Sequence, residues 1–570
     1  MLCIPTSIVP GTLQEKLTAI AKAGFDGIDL GFTDIAQFDG TLAALRDLVT
    51  DHGLGIVGLG PLQGDVTRAK VAAKLKVADA VGAQVLLVDL PQEINVLPDS
   101  PHNCQIALRP SIAVEPFVIS LLSGADSKVG LGLQTRTALA DGSRPARLRD
   151  WPAERVFHVQ MVDGHRRPLL PGQGTLNIGG AARVLARGGY AGPWSVGAET
   201  QGKDTVRSAY RAVVNVLGDA AATEPKLARS VPAVPGKVAS TGIEFVEFAV
   251  DAADAETLEF VLASMAFRKE RQHIHKDVVL WRQGAVNMVV NRERSGHAGA
   301  AFDAHGPTVC DMGLRVQDAA ATVARAKALG SQDFTQTVQL GDLDIPAIRG
   351  VGGHVIHFID EKSDLHRVWD IEFQAVSDRV IQPAGLRRID HLAQTMRYDE
   401  MQGWLLYYLS TFNMSKSPIF DVADPSGVVR SQSVETPEGE VRLNLNGAAD
   451  GDTFAGSFVS GKTGAGIQHI AFATDDIFET SARLALNGFE RLNIPQNYYA
   501  ETQDEFGLSD TFTEQLRAEN ILYDEDDTGA YFQLYGKSIF NGFFFEIVQR
   551  KGRYAGYGAR NAAIRLAAQT

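Results

Sequence analysis

The stretch RIDHLA at residues 388–393 decides the fold of the C-terminal half, because a stretch of the same layout, GIEF at 242–245, occurs earlier in the chain. Each opening run is followed by a helical pattern and then by further strand-like runs. A second matching pair follows, CDMGL at 310–314 in one copy and IQHIA at 467–471 in the other. An internal repeat has to be recognised first because it determines the architecture. The doubling predicts paired βαβββ modules whose curved sheets enclose a site.

Residues 11–218 have a different pattern, in which helical stretches such as 13–23 alternate with short apolar runs such as 27–30, 55–59 and 85–88. This alternation is typical of repeated βα units, which form a parallel sheet. It predicts a small, trimmed (β/α) barrel of the TIM type.

The stretch 220–240 is rich in proline and small residues and has no helical or strand periodicity, which predicts an interdomain linker. The predicted fold is therefore α/β followed by α+β. The predicted segments are a barrel at 1–219, the linker at 220–240, a first module at 241–380 and a second module at 381–570.

The composition favours small-molecule chemistry. A chain of 570 residues with a net charge of -14 and no basic stripe is a poor partner for nucleic acid or an anionic membrane. The three cysteines have no paired spacing, which argues against disulfides and thiolate zinc sites and fits a reducing cytoplasm. Neither a signal peptide nor a membrane-spanning run is expected. A homo-oligomer remains open.

Three polar residues interrupt apolar strand patterns in the second module: His391, His469 and Glu546. An inward-facing polar group on a buried strand is costly unless it is paired, by a few kcal/mol or so. One shared cation would remove that cost for all three. Two imidazoles and one carboxylate bind a divalent ion on one face and leave positions open, as iron(II) oxygenases require. We predict iron(II), with manganese, cobalt, magnesium and zinc as alternatives, magnesium being disfavoured by the imidazoles.

The repeat predicts that only the second module carries this site. The equivalent positions in the first module are Phe245, Met312 and His357, which keep at most one ligand type. His354 and His357 are therefore assigned to packing or hydrogen bonding. The alternative for His391, His469 and Glu546 is that none of them binds a metal. Each histidine would then be a hydrogen-bonded core residue, and the glutamate a buried, hydrogen-bonded side chain.

The strings RIDH at 388–391, GIQHIAF at 466–472 and FFFEIVQR at 543–550 resemble the three metal motifs of 4-hydroxyphenylpyruvate dioxygenases, which have the vicinal oxygen chelate fold. The resemblance runs from about residue 240 onward and implies a non-haem iron dioxygenase-type domain. Tyr535 stands where that family has phenylalanine, and the family's terminal phenylalanine is missing. The substrate-binding positions that the resemblance implies are Ser431, Asn446, Gln468, Gln533 and Tyr535.

The whole chain resembles bacterial two-domain 3-dehydroshikimate dehydratases, through AGFDG at 23–27, PGQG at 171–174, GPWS at 192–195 and GRYAGYG at 552–558. In that family the barrel is expected to hold a metal on two glutamates, an aspartate and a glutamine. These four positions fall here on Arg109, Gln134, Gln160 and Gly197, and a histidine for proton transfer falls on Thr137.

Only Gln160 keeps the expected ligand type, so the barrel is predicted to be inactive. A residual barrel site could still form near strand ends, where barrel enzymes keep their chemistry. Its candidate residues are Gln160, Asp163, His158 and Glu199, with His165 nearby. The ordinary interpretation of Asp163 is a loop hydrogen bond, and that of Gly172 and Gly174 is a turn.

Three functions follow from these observations. The first is an oxygenase in which the C-terminal site and dioxygen oxidise an aromatic or related α-keto acid. The second is a lyase that converts 3-dehydroshikimate to protocatechuate in the barrel. The third is a non-catalytic scaffold with a structural metal. The first needs only the C-terminal site, the second needs a site near Gln160, and the third needs a closed coordination sphere.

Overall fold

The computed structural model describes residues 1–90, 92, 97, 103–142, 144–199, 202–336, 338, 341–376, 382–449, 451–554 and 556–569. The chain divides into two compact units, Met1–Val234 and Pro235–Thr570. The predicted linker spans this division, and the predicted boundary between the modules, at 380/381, lies outside the described residues. Within the described ranges, no helix has the length and apolar character needed to cross a membrane.

The first unit is a closed barrel of eight parallel strands in chain order, which confirms the predicted TIM-type fold. The strands are short and almost continuously buried, as expected for a parallel barrel. They are β1 (Leu2–Pro5), β2 (Gly27–Leu30), β3 (Gly55–Leu62), β4 (Val85–Leu90), β5 (Gln105–Pro110), β6 (Val129–Gln134), β7 (Val156–Met161) and β8 (Trp194–Val196).

Amphipathic helices surround the barrel strands. The first begins at a capping box between Thr12 and Glu15 and ends at Gly24, which has φ +97°. The helices are α1 (Leu13–Ala23), α2 (Phe32–Ala36), α3 (Leu42–Asp51), α4 (Arg68–Val81), α5 (Glu115–Leu122), α6 (Thr135–Ala138), α7 (Ile178–Gly188) and α8 (Thr205–Ala221).

The second unit begins with a nine-stranded sheet in the order β14-β15-β16-β13-β9-β12-β11-β10-β17. Its strands are β9 (Ser240–Ala249), β10 (Arg268–His273), β11 (Val278–Gln283), β12 (Val286–Asn291), β13 (Thr308–Val316), β14 (Asp333–Phe334), β15 (Ala347–Arg349), β16 (Val355–Ile359) and β17 (Phe373–Ala375). Its helices are α9 (Ala252–Ser264), α10 (Gly296–His305), α11 (Ala319–Ala328) and α12 (Val368–Ile371).

A second nine-stranded sheet repeats this layout, in the order β19-β21-β22-β18-β23-β26-β25-β24 with β20 paired to β21. Its strands are β18 (Leu386–Arg397), β19 (Ser415–Lys416), β20 (Phe420–Asp424), β21 (Gly427–Glu435), β22 (Arg442–Ala448), β23 (Gly466–Thr474), β24 (Leu522–Asp526), β25 (Gly529–Tyr535) and β26 (Phe544–Gly552). Its helices are α13 (Tyr398–Thr411), α14 (Phe454–Gly461), α15 (Ile477–Leu486), α16 (Gln496–Phe506), α17 (Asp510–Ala518) and α18 (Asn561–Gln569).

The two sheets are the predicted paired vicinal oxygen chelate modules, and they share one hydrophobic core. Phe248 of the first module meets Phe543 of the second edge to face, with ring centroids 5.2 Å apart. Phe267 and Phe472 make a similar contact at 5.5 Å. Burying a phenylalanine side chain contributes about 1.5–3 kcal/mol, so these contacts make the two modules one folding unit.

The register corrects one predicted equivalence. In the second module, His469 pairs with Ala393. In the first module, Glu247 lies at the place of Ala393, and its partner is Asp311. The prediction that Met312 is equivalent to His469 is therefore wrong by one residue. Both strands contain a bulge just before this point, and a shift of one residue turns a side chain to the opposite face of the sheet.

Candidate metal centre

His391, His469 and Glu546 meet on three neighbouring strands, β18, β23 and β26. His391 and Glu546 both pair with Ala471 of the central strand, and His469 lies two residues before Ala471. Side chains two residues apart on a strand share a face. The pairing therefore places all three side chains on the same side of the sheet.

The three side chains converge at one point. His391 Nε2 lies 3.1 Å from His469 Nε2 and 3.3 Å from Glu546 Oε2, and His469 Nε2 lies 3.4 Å from Glu546 Oε2. One donor atom from each residue lies within 4.8 Å of the other two. Two imidazole nitrogens and a carboxylate oxygen at this spacing fit a single divalent ion.

Burial and charge set the protonation of the centre. Burial lowers the pKa of His469 to about 3, which leaves this imidazole neutral at physiological pH. Burial also lowers the pKa of His391, but the carboxylates of Asp390 and Glu546 outweigh it and raise that pKa overall. Burial raises the pKa of Glu546, whereas His391 and His469 lower it to a net value below the usual one. The centre thus holds one carboxylate and a proton that is shared close to His391.

Metal affinity is expected to rise with pH through the neutral range, because an ion must displace the proton that the raised pKa keeps on His391. Below that pKa, each added pH unit should increase the apparent affinity by about tenfold. Competition of the protein with a chelator for cobalt(II), measured between pH 6 and pH 8, checks this. An affinity that is flat with pH after correction for the chelator would contradict it.

A charged network orients His391. Its Nδ1 lies 2.9 Å from Oδ1 of Asp390, which is 1% exposed. Arg550 donates to the same carboxylate through Nη2 at 3.0 Å and Nε at 3.1 Å, and Arg442 Nη1 donates at 3.4 Å. Burial raises the pKa of Asp390, but Arg550 and His391 hold it well below the usual range. A carboxylate behind a ligating histidine fixes the tautomer and the direction of the ring.

We expect Asp390→Asn to weaken metal binding by about 10- to 100-fold, since this is the usual effect of removing such a supporting carboxylate. The measurement is the dissociation constant for cobalt(II). Asp475→Asn is the matched control, because Asp475 pairs with Arg387 at 2.7 Å and is 75% exposed. Equal affinities for Asp390→Asn and the control would show that Asp390 does not position His391.

A cavity of about 270 Å³ opens beside the three residues. All five predicted substrate-binding residues line it: Ser431, Asn446, Gln468, Gln533 and Tyr535. Gln533 donates to Glu546 Oε1 at 2.9 Å and so holds this carboxylate in place. Gln468 accepts from Thr395 at 2.7 Å, while its buried amide nitrogen has no protein partner among the described residues.

Several residues at the site were not predicted from the sequence. They are the cavity residues Phe454, Tyr557 and Arg565, together with Asp390 behind the site. The role of Asp390 could have been predicted, because it is adjacent in sequence to the candidate ligand His391. No sequence pattern identifies Arg565, because its place in the cavity depends on how helix α18 packs.

The first module has a hydrogen-bonded cluster in the corresponding place. Asp311 lies 2.9 Å from His297 Nε2 and 3.4 Å from His357 Nε2. Arg349 lies 3.1 Å from His297 Nδ1, so this nitrogen accepts and Nε2 carries the proton. His354 is buried, which lowers its pKa to about 4, and it bonds the Val351 carbonyl. These contacts are the packing and hydrogen bonding that were predicted for His354 and His357.

Three other donor clusters occur in the described chain. Burial raises the pKa values of the Cys3 and Cys310 thiols well above the usual one, which disfavours the thiolate that metals bind. In the third cluster, His273 Nδ1 accepts two backbone N–H groups, and Asp342 pairs with Lys276 at 2.8 Å.

The four aligned barrel positions come together at the mouth of the barrel. Arg109 Nη1 donates to Gln160 Oε1 at 3.1 Å, and Gln134 donates to the same oxygen at 3.0 Å. Arg109 also pairs with Asp89 at 2.6 Å. A Cβ at Gly197 would lie 2.7 Å from a methyl group of Val162. A guanidinium therefore lies where carboxylate ligands would be needed.

The other candidates for a residual barrel site are already bonded or exposed. Asp163 accepts four backbone N–H groups, from Gly164 at 2.7 Å and from Gly172, Gly174 and Leu176 at 3.0 Å each. His158 is fully buried and bonds Asp29 at 3.1 Å, and Ser195 donates to the same carboxylate at 2.5 Å. Glu199 is exposed.

Comparisons with known proteins match the C-terminal part of the chain and also its whole length. A family profile described as "Hydroxyphenylpyruvate dioxygenase, HPPD, N-terminal" matches residues 197–374, and one described as "Glyoxalase/Bleomycin resistance protein/Dioxygenase superfamily" matches residues 388–526. The chain is 32% identical to 3-dehydroshikimate dehydratase of Pseudomonas putida, across 99% of this chain and 97% of that protein. It is also 32% identical to 4-hydroxyphenylpyruvate dioxygenase of Pseudomonas aeruginosa, across 57% of this chain and 92% of that protein.

A solved structure has the same two-unit organisation. It is a "xylose isomerase-like TIM barrel/4-hydroxyphenylpyruvate dioxygenase fusion protein", with a TM-score of 0.87 and 29% identity. The match covers 100% of this chain and 99% of that one. The barrel and the paired modules therefore occur together in a known protein.

Proposed function

The chain belongs to the family of bacterial two-domain 3-dehydroshikimate dehydratases, and from this premise we propose that its working site is the C-terminal centre, which acts as a non-haem iron(II) dioxygenase on an aromatic or related α-keto acid. One observation carries the proposal: His391, His469 and Glu546 converge on the wall of a cavity that could hold a small aromatic ligand. The described residues at the barrel mouth bring together no comparable donor set.

Iron(II) is the proposed ion because two imidazoles and one carboxylate bind it on one face and leave the opposite face open to ligands. Bound there, the ion would supply Lewis acidity toward the keto acid and the capacity to activate dioxygen. Manganese, cobalt and zinc accept the same donors and are alternatives that metal analysis of the purified protein distinguishes.

The residues of the chain would hold the metal ligands and the substrate in position and would shield the centre from water. Gln533 holds Glu546 through one carboxylate oxygen and leaves the other directed toward the histidines. Asn446 and Ser431 pair across β21 and β22 and could hydrogen-bond a ring substituent. Phe544 stacks on the His469 ring at 4.8 Å, and Tyr535 lies edge-on to Phe544 at 6.0 Å. These rings exclude water from one side of the centre.

Oxidative decarboxylation requires that carbon dioxide leaves the keto acid as dioxygen is consumed. We expect the iron(II)-loaded protein to release about one carbon dioxide per dioxygen from 4-hydroxyphenylpyruvate or a related keto acid. The measurement is radioactive carbon dioxide from the 1-labelled acid, with Glu546→Gln as the inactive control. Decarboxylation at the same rate in that control would contradict the proposal.

A second candidate is the dehydratase reaction, which the match to the Pseudomonas putida enzyme over almost the whole of both chains favours. The barrel mouth argues against it, because Arg109 occupies the region around Gln160. Formation of protocatechuate from 3-dehydroshikimate, followed by its absorbance, tests this candidate. Activity that Gln160→Ala removes would establish the lyase.

A further inference from the structure

Among the described residues, one guanidinium group, that of Arg565, reaches the C-terminal cavity without forming an ion pair. Arg565 lies on α18 and lines the cavity together with the three candidate metal ligands. Its guanidinium carbon lies 4.8 Å from the ring centre of Phe544, 5.5 Å from that of Phe454 and 5.7 Å from that of Tyr535. Its hydrogen bond goes to the neutral side chain of Gln569, at 2.6 Å.

Other enclosed arginines of this module have acidic partners. Arg550 and Arg442 both contact Asp390, and Arg491 pairs with Glu519 at 2.6 Å. Arg560, which also lines the cavity, pairs with Glu505. Arg565 forms no ion pair with any described residue, although an enclosed charge is costly without a partner. The acidic groups that act on Arg565, Glu546 and Asp424, do so without forming an ion pair, so an anion in the cavity could pair with it directly.

The charges around the cavity lead to the same conclusion. Glu546 contributes one negative charge, and its carboxylate oxygens already contact the two histidines and Gln533. With a divalent ion bound, the ion and Arg565 together exceed that charge by two. A keto acid with a single carboxylate leaves Arg565 with only the longer-range field of Asp424 and Glu546, whereas a second carboxylate on the ligand could pair with it directly.

The surroundings of Arg565 indicate where the second anion would lie. Its neighbours Phe454, Tyr535 and Phe544 are aromatic, which suits the flat ring of a ligand. The opposite strands β21 and β22 bring neutral hydrogen-bonding groups from Ser431 and Asn446. The guanidinium is thus a charged contact beside the ring, and it is separate from the ligands of the ion.

We propose that the cavity selects an aromatic α-keto acid that carries a second carboxylate on its ring, and that Arg565 binds this carboxylate. The inference rests on the proposed function for the keto acid end of the ligand. Arg565 is a specificity-determining residue in this account, since it touches the substrate but none of the three metal ligands.

The test compares two probes under anaerobic conditions: phenylpyruvate and its ring-carboxylated analogue 4-carboxyphenylpyruvate. Isothermal titration calorimetry on the cobalt(II)-loaded full chain should show the dicarboxylate binding about 10- to 100-fold more tightly, as expected for one charge-assisted contact in a partly dry site. Arg565→Gln should remove this preference and leave phenylpyruvate affinity and metal content unchanged. Arg565→Lys should keep part of it. Arg560→Gln is the matched control and should keep all of it.

Two results would overturn the inference: equal affinities of the wild type for both probes, or an equal loss of both affinities in Arg565→Gln. The latter result would mean that Arg565 binds the carboxylate of the α-keto acid group and not a carboxylate on the ring. Failure of the proposed function is separately visible. A wild type that consumes no dioxygen but keeps an Arg565-dependent preference for the dicarboxylate would refute the oxygenase and support the binding role of Arg565.

Discussion

The His391→Ala variant is expected to lose tight binding of the divalent ion. Removing a supporting carboxylate behind a ligand typically costs 10- to 100-fold in metal affinity, so removing a ligand itself should cost more than about 100-fold. His391 contacts both other donors, at 3.1 and 3.3 Å, and the described cluster contains no histidine besides His391 and His469. The measurement is iron or cobalt per chain after reconstitution and desalting, with about one ion expected for the wild type and almost none for the variant.

His357→Ala is the control for this experiment, because His357 occupies in the first module the place of Glu546 in the second and is also buried. It should keep the full metal content. A circular dichroism melt of each variant separates loss of the ion from loss of the fold. A His391→Ala protein that is folded and still binds one ion tightly would contradict the assignment.

The Asp163→Ala variant is expected to destabilise the barrel by about 3–5 kcal/mol, because four backbone donors, one buried and three half-buried, lose a charged acceptor. Asp163 is 1% exposed and binds the whole 164–176 loop to the end of β7. For a unit of this size, the barrel transition should fall by roughly 10 °C. Differential scanning calorimetry of the full chain measures this change.

Two further variants serve as controls for the Asp163→Ala experiment. Asp163→Asn keeps one acceptor oxygen and should lie between the wild type and Asp163→Ala. Asp204→Ala removes an aspartate that is 76% exposed and 3.8 Å from Arg207, so its melting temperature should match the wild type. If Asp163→Ala melts like Asp204→Ala, the loop is held by other contacts.

The convergence of the three candidate ligands could be predicted from sequence because strand geometry is simple where strands are regular. A polar residue in an apolar strand, repeated in three strands of one module, must be paired or bound. The structure brings His391, His469 and Glu546 together, as that argument requires. The barrel also followed from the pattern, since buried parallel strands between amphipathic helices leave a distinct signature.

The equivalence between Met312 and His469 failed because the two strings were matched one residue out of step: Val309, and not Cys310, corresponds to Ile467. Cys310 and Gln468 are the extra residues of the two bulges, and counting from Cys310 instead of Val309 places Met312 on the wrong face. Met312 is fully buried in the shared core, whereas Asp311 faces the cavity of the first module.

Long-range contacts explain the other omissions. Arg565 reaches the centre because α18 packs near β20, more than 130 positions earlier in the chain. The network around Asp390 joins Arg442 and Arg550 from two other strands. No local pattern encodes either arrangement, because each depends on how separate elements pack.

The measurement that tests the central claim most directly is dioxygen consumption by the iron(II)-loaded protein, with 4-hydroxyphenylpyruvate and related keto acids, in wild type and His391→Ala. Protocatechuate formation from 3-dehydroshikimate is followed in parallel. We predict keto acid-dependent uptake that His391→Ala abolishes, with no protocatechuate. Protocatechuate without any uptake would contradict the account and would place the activity in the barrel.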